Sequence, residues 1–165
     1  SLYLFAALLM VGFTGCLKES TNEFTCEYDP CAVKAPAAEI AAVREYLTAN
    51  NIEATEHCSG LFYRIETEGT GKTPQACLSV QANYKGMFTN GSVFDQSQNP
   101  IVFSLAEVIR GWTNGLPLIK EGGRIHLYIP PSLGYGASDR RDAQGNVVIP
   151  GNSILIFEVD LLAAQ

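Results

Sequence analysis

Hydrophobic and polar positions alternate in four segments of the chain. In "LSVQANYK", residues 78–85, the side chains of Leu78, Val80, Ala82 and Tyr84 share one face. A period of two is typical of a strand with one buried face, so Tyr84 is predicted to point inward. The segments "LFYRIETE", "RIHLYI" and "SILIFEVDLL" alternate likewise, and glycine-rich turns separate them. The inward positions of the last two segments are Ile125, Leu127, Ile129, Leu155, Phe157, Val159 and Leu161.

A helical period occurs earlier in the chain, in "AAEIAAVREYLTANN". Ile40, Val43 and Leu47 recur at helical spacing, and Asn50 followed by Asn51 is a stop signal. The segment therefore predicts one amphipathic helix that docks on the domain formed by the strands.

A second, shorter helix is predicted within "FSLAEVIRGWTNGLP", residues 103–117. Ser104 followed three residues later by Glu107 is the pattern of a capping box at a helix start. Gly115 and Pro117 are expected to end the helix. Its apolar face would consist of Leu105, Val108, Ile109 and Trp112. Trp112 is the only tryptophan, and such a residue is either core filling or part of a site.

Strands with short turns and one short helix predict an α+β domain in which an antiparallel sheet packs on the helix. The expected organisation is an apolar leader region, a tether, an N-terminal helix with linker, and the main domain. These cover residues 1–15, 16–36, 37–59 and 60–165, respectively.

Composition and charge exclude one class of partner. The chain has 165 residues, of which 47% are hydrophobic and 17% charged, as in ordinary globular proteins. Its 11 Lys and Arg against 17 Asp and Glu give a net charge near −6. Because phosphate backbones require a basic surface, we expect no nucleic acid partner.

The first fifteen residues are almost entirely apolar, which suits the apolar region of a signal peptide better than a mature membrane span. An uncleaved anchor or a buried strand is the alternative. Thr14, Gly15 and Cys16 resemble a bacterial lipobox, which would make Cys16 the lipidated residue. Since the chain begins with Ser1 and lacks a basic leader, we expect it to begin inside its precursor. The expected location is the bacterial cell envelope, lipid-anchored, periplasmic or surface-facing.

Four cysteines remain once Cys16 is reserved for lipid, an even number in a compartment where disulfides persist. The preferred pairing is Cys26 with Cys31 and Cys58 with Cys77, although connectivity cannot be read from sequence alone. No metal site is expected, because the cysteines and histidines lack the spacing of ligands. His126 falls on the polar side of its strand and should be either solvated or hydrogen-bonded.

Several aromatic residues are candidates for either core or site. Tyr135 lies between glycines in a loop, where an aromatic side chain has little structural reason to be. The others stand on predicted inward faces or beside polar groups: Tyr84, Phe94 next to Asp95, Phe103, Trp112 and Phe157.

Three separated motifs resemble one family. "YKGMFTNGSVFDQS", "EVIRGWTNGLPLIKEGGRIHLYIPPSLGYGA" and "IPGNSILIFEVDLL" resemble, in order and spacing, the FKBP-type peptidyl-prolyl cis-trans isomerases. The resemblance covers residues 60–165. It implies a sheet of about five antiparallel strands wrapped around one short helix, with a shallow apolar pocket between them.

The resemblance also implies roles for particular residues. Trp112 would be the pocket floor, Tyr135 would bind a substrate carbonyl, and Asp95 would be the carboxylate beside the wall. The catalytic set would be Tyr84, Phe94, Asp95 and Tyr135, and the substrate-binding set Phe103, Val108, Ile109, Trp112 and Phe157. No basic residue follows Asp95 as in some members, so a hydroxyl is expected to hold it instead.

The function implied is isomerisation of X-Pro bonds in exported proteins, which assists their folding. It requires no cofactor and no metal. The implied partners are proline-containing polypeptides, macrolide inhibitors, and a membrane through the lipid anchor. The alternative is a binding module or chaperone lipoprotein of the same fold with little turnover; a purely structural lipoprotein would leave the pocket unexplained.

Overall fold

The computed structural model describes residues 25–165. The predicted leader region and the predicted lipidation site at Cys16 lie outside these residues. The helices are α1 (Ala37–Ala49) and α2 (Arg110–Gly115), with 3₁₀ helices at Leu116–Leu118 and Pro131–Leu133. The strands are β1 (Thr55–Glu56), β2 (Phe62–Thr67), β3 (Ser79–Phe88), β4 (Val93–Gln96), β5 (Ile101–Ser104), β6 (Arg124–Ile129), β7 (Arg140–Arg141), β8 (Val147–Ile149) and β9 (Leu155–Ala164). Within this part of the chain, no helix combines the length and apolar character needed to cross a membrane.

The main sheet has seven strands in the order β1-β2-β6-β9-β3-β4, and β5 also pairs with β3. All of its pairings are antiparallel. The α+β class is confirmed. The sheet exceeds the expected count of strands because β1, β4 and β5 have four residues or fewer, too short to show a period. Strands β7 and β8 form a separate hairpin.

The inward positions predicted on β6 and β9 are all buried. Strand β6 is buried on its other face as well, since Tyr128 is 3% exposed and His126 is 8% exposed. His126 is therefore not solvated; its Nε2 lies 2.7 Å from Oε1 of Glu66. Of the two states expected for His126, solvated or hydrogen-bonded, the structure shows the second.

Helix α1 packs against the domain through its apolar face. Its predicted apolar residues Ile40, Val43 and Leu47 are buried, and it ends at Asn50 as expected. The Arg44 guanidinium lies 5.7 Å from the ring centroid of Phe62 on β2. The Glu39 carboxylate accepts a hydrogen bond of 2.8 Å from the Ser132 backbone. The helix is thus attached to the domain at both of these contacts.

The position of α2 corrects the sequence prediction. Ser104 ends β5, residues 105–108 form a turn, and the helix begins at Arg110, with no side-chain cap on its first turn. The Leu105 N–H donates to the Leu78 carbonyl instead, at 3.0 Å, which extends the pairing beyond β5. Ser104 itself is paired with Ser79 on β3, and the Glu107 N–H donates to the Ser104 carbonyl at 3.0 Å rather than to its hydroxyl, so the capping box does not form. Trp112 consequently lies in the first turn of the helix.

Two glycines allow α2 to lie directly on β6. A Cβ on Gly111 would stand 2.5 Å from Cδ1 of Ile129, and one on Gly115 would stand 2.6 Å from Cδ2 of Leu127. A larger residue at either position would require these β6 side chains to move, so the two glycines allow helix and sheet to approach closely. Pro117 does not close α2 but lies in the 3₁₀ helix that follows it.

The disulfide pairing is the other correction. Cys26 is bonded to Cys77 and Cys31 to Cys58, so the expected pairs are wrong. The chain before α1 runs alongside residues 58–60, where the Ala35 N–H donates to the Ser59 carbonyl at 2.8 Å. That contact brings Cys31 to Cys58. Residues 25–36, predicted to belong to a free tether, are therefore attached to the domain by two bonds.

Candidate functional site

A cavity of about 510 Å³ opens beside α2. Strand β3 contributes Tyr84, β9 contributes Phe157, and the loop after β6 contributes Tyr135. All predicted catalytic and substrate-binding residues except Phe94 line this cavity: Tyr84, Asp95, Phe103, Val108, Ile109, Trp112, Tyr135 and Phe157. Residues from five separate parts of the chain therefore converge on one concave surface.

The inner wall of the cavity is an aromatic cluster around Trp112. The rings of Tyr84, Phe103 and Phe157 meet the indole edge to face, at centroid distances of 5.3, 5.1 and 5.4 Å. Trp112 is only 4% exposed, yet it lines the cavity. It is therefore both core filling and pocket surface, and edge-to-face packing holds its ring in a fixed orientation.

Phe94 lies behind the cavity surface. Its ring packs against Phe157 at 5.5 Å and Phe88 at 4.9 Å between centroids. The space for these rings comes from Gly86 on β3, which is paired with Phe157 on β9. A Cβ on Gly86 would stand 2.6 Å from Cζ of Phe94 and 2.9 Å from Cε1 of Phe157. Sequence reasoning missed Gly86, although a glycine inside a strand signals a close approach.

Asp95 is held by a hydroxyl, as the sequence led us to expect. The Tyr84 hydroxyl donates a 2.6 Å hydrogen bond to Oδ2 of Asp95. Burial raises the pKa of Tyr84, and the hydrogen bond to the Asp95 carboxylate raises it further. The phenol therefore stays protonated, and it fixes the carboxylate at the rim of the cavity.

Several donors of the cavity-lining residues have no partner in the part of the chain that the structure describes, among them the buried indole N–H of Trp112. Across residues 25–165, neither the Tyr135 hydroxyl nor the Ile109 backbone N–H has a protein acceptor. The Ile109 N–H is free because this residue is the N-cap of α2. Burial raises the pKa of Tyr135, so this hydroxyl also remains a donor. The Arg140 guanidinium lies 5.1 Å from the Tyr135 ring centroid and holds one face of it.

Sequence reasoning missed the charged rim of the cavity. Glu107, Arg110 and Arg140 line it together with Asp95. Glu107 had been assigned to a helix cap, and the two arginines carry no pattern that distinguishes them from solvated surface residues. The turn at residues 105–108, the start of α2 and the β7 strand bring Glu107, Arg110 and Arg140, respectively, to the cavity.

One cluster of the described residues has metal-ligating atoms close together, namely Cys31, His57 and Cys58. Its two sulfurs are joined in a disulfide, so they are not thiolates. The His57 Nδ1 lies 2.9 Å from the Ser59 hydroxyl instead. This cluster lies outside the cavity lining.

Residues 71–162 match the model of a protein family described as "FKBP-type peptidyl-prolyl cis-trans isomerase". This range includes every residue of the aromatic cluster. The chain belongs to this family. It is 41% identical over 121 residues to a probable FKBP-type peptidyl-prolyl cis-trans isomerase of Haemophilus influenzae, covering 72% of this chain and 47% of the relative. The chain thus spans about half the length of the curated relatives it matches.

Solved structures of FKBP-type proteins share the fold. A peptidyl-prolyl cis-trans isomerase of Pseudomonas syringae superposes with a TM-score of 0.67 at 33% identity, covering 81% of this chain and 99% of that one. FkpA from Escherichia coli superposes with a TM-score of 0.65 at 39% identity, covering 77% and 59%. These likenesses support the fold that the sequence resemblance implied.

Proposed function

We propose that this FKBP domain catalyses rotation about X-Pro peptide bonds in exported polypeptides. The observation that carries the proposal is the cavity lined by the aromatic cluster, with the free hydrogen-bond donors of Tyr135 and Ile109 in its lining. Family membership supports the same activity. Proline-containing segments are the proposed substrates, because a proline ring matches the aromatic inner wall of the cavity around Trp112.

The chemistry follows from the electronic structure of the amide. Rotation is slow because partial double-bond character imposes a barrier of about 18–20 kcal/mol. The twisted amide loses this resonance and its charge separation, so an apolar surface favours it relative to water. The Tyr135 hydroxyl and the Ile109 N–H would hold carbonyl groups on either side of the rotating bond. No proton has to be transferred, which makes Asp95 an orienting group in this mechanism.

The pH dependence of the rate tests this assignment. Burial raises the pKa values of Tyr84 and Tyr135, so both phenols remain neutral donors well into the alkaline range. We expect kcat/KM to be flat between about pH 6 and pH 9. Measurement in a protease-free exchange assay avoids the pH dependence of a coupling enzyme. A bell-shaped profile would instead indicate general acid-base catalysis and contradict the mechanism.

Turnover itself is tested with the purified protein and a set of peptides that vary the residue before proline. We expect the catalysed cis-trans exchange to slow about threefold in Tyr135→Phe, since one neutral hydrogen bond to the substrate is lost. Binding is read independently from the fluorescence of Trp112, the only tryptophan. Peptide binding without catalysis by the folded wild type would assign the domain to a binding module.

A macrolide of the FK type is proposed as a competitor of the peptide, because the cavity offers it the same apolar surface and free donors. It should lower the catalysed rate and displace the peptide from the site that Trp112 reports.

We further propose that the protein is anchored by lipid at Cys16 in the bacterial cell envelope, periplasmic or surface-facing. The support is the apolar segment of residues 1–15 and the small residues that precede Cys16. Cys16→Ser is expected to abolish labelling by a radioactive fatty acid and to release the protein from the membrane fraction. Ser20→Ala is the matched control and should retain both. Unchanged labelling of Cys16→Ser would reject the anchor.

A further inference from the structure

A second cavity of about 350 Å³ adjoins the first. The two cavities share the side chains of Val108 and Arg110, which stand on either side of Ile109. Ala76, Leu105 and Ala106 supply further apolar lining of the second cavity. A ligand bound at the free Ile109 N–H would therefore lie at the junction between the two cavities.

The N-terminal segment forms one wall of the second cavity. Tyr28 lines it, and its hydroxyl donates a 2.6 Å hydrogen bond to Oδ1 of Asn114 on α2. Asn114 is 3% exposed, so this hydrogen bond is anchored in the core. The Cys26–Cys77 disulfide fixes the same segment, and Cys77 also lines the cavity. Tyr28 precedes the family match, which begins at residue 71, so this wall lies outside the part of the chain that the family model matches.

The lining indicates which chemical group the second cavity would accept. Leu105 is fully buried and Ala76 almost so, while Ala106 is exposed at the opening. Val108 adds apolar surface and Thr113 a polar group to this lining, and Arg110 is the only charged side chain that residues 25–165 contribute to it. Its guanidinium is shared with the first cavity. An uncharged apolar side chain of branched or linear shape therefore matches this surface better than a charged one.

A single bound substrate could reach both cavities. An extended polypeptide advances about 3.3–3.6 Å per residue, so a residue close to the proline reaches a neighbouring cavity. Resting on the isomerase function proposed above, we propose that the second cavity is a specificity subsite for an apolar side chain of the substrate near its proline. The N-terminal segment would thus select the sequence context of the proline.

The subsite is tested with proline peptides that carry leucine or glycine at one position at a time on either side of proline. For the wild type, leucine at one position should raise kcat/KM about fivefold over glycine, the effect of burying one aliphatic side chain in part. Trp112 fluorescence measures the same leucine-to-glycine ratio in binding. The ratio of the affinities for the leucine and glycine peptides tests the subsite even if the protein does not catalyse turnover. Selective binding without turnover would contradict the proposed function and support the subsite.

Ala106→Phe is the decisive variant, because an exposed alanine at the opening can take a larger side chain that fills the cavity without disturbing the core. The leucine-to-glycine ratio should fall to about one. Ala42→Phe, at an exposed position of α1, is the matched control and should keep the wild-type ratio. Tyr28→Ala removes a different wall and should also lower the ratio. The proposal is overturned if the ratio survives in Ala106→Phe or if no position shows a preference for leucine over glycine.

Discussion

Replacing Phe94 with tyrosine is expected to lower kcat/KM about tenfold while the domain remains folded, a loss of about 1.4 kcal/mol in transition-state stabilisation. The reason is the space above Gly86. Cζ of Phe94 is so close to Gly86 that a Cβ there would stand 2.6 Å from it, and the new hydroxyl would be attached to Cζ. We expect the ring to tilt and to displace Phe157, which it contacts edge to face. Phe157 lines the cavity, so its wall would be displaced and wetted.

Phe88→Tyr is the matched control for this prediction. Phe88 packs on the same Phe94 ring, at 4.9 Å between centroids, but does not line the cavity. The same hydroxyl placed there should change kcat/KM by less than about twofold. Circular dichroism and thermal unfolding of both variants establish that they are folded. If the two variants lose equal activity, the effect comes from general destabilisation rather than from the cavity wall.

The elements with a clear period were predictable from the sequence. Strands β3, β6 and β9 and helix α1 each bury the face that their apolar spacing indicates, because burial of that face is what stabilises them. The start of α2 was not predictable. Ser104 and Glu107 have the residue types of a cap, but Ser104 is paired as a strand residue with Ser79 on β3, far away in sequence. A local pattern contains no information about such a partner.

Much the same limit applies to the site. The aromatic residues were found because their positions match family motifs, and their convergence on Trp112 agrees with that resemblance. Gly86 and Arg140 act through contacts with rings on other elements, which depend on strand register and loop path. The hydroxyl that holds Asp95 was expected, but its source, Tyr84, followed only from the pairing of β3 with β4.

The disulfides show the limit most clearly, because four cysteines allow three pairings that sequence cannot distinguish. The expected pairing joined cysteines that are near in sequence or at the ends of predicted strands. The observed pairs instead enclose longer segments, with sequence separations of 51 residues for Cys26–Cys77 and 27 for Cys31–Cys58. Nonreducing peptide mapping should recover these two pairs. A peptide in which Cys26 is bonded to Cys31 would contradict the observed path of the N-terminal segment.

Removing the Cys26–Cys77 disulfide, which closes the longer of the two loops, is expected to have the largest effect on stability. The double variant Cys26→Ser, Cys77→Ser should lower the free energy of unfolding by about 4 kcal/mol, because a crosslink over 51 residues strongly restricts the unfolded chain. The control Cys31→Ser, Cys58→Ser should lose about 3.5 kcal/mol, since its crosslink spans 27 residues. Urea unfolding followed by Trp112 fluorescence measures both losses. The first variant should also lose the preference for leucine over glycine in peptides. Tyr28, which is hydrogen-bonded to Asn114, lies only two residues from Cys26, so loss of the disulfide would release this wall of the second cavity. A stable first variant with unchanged preference would mean that the hydrogen bond alone holds the segment in place.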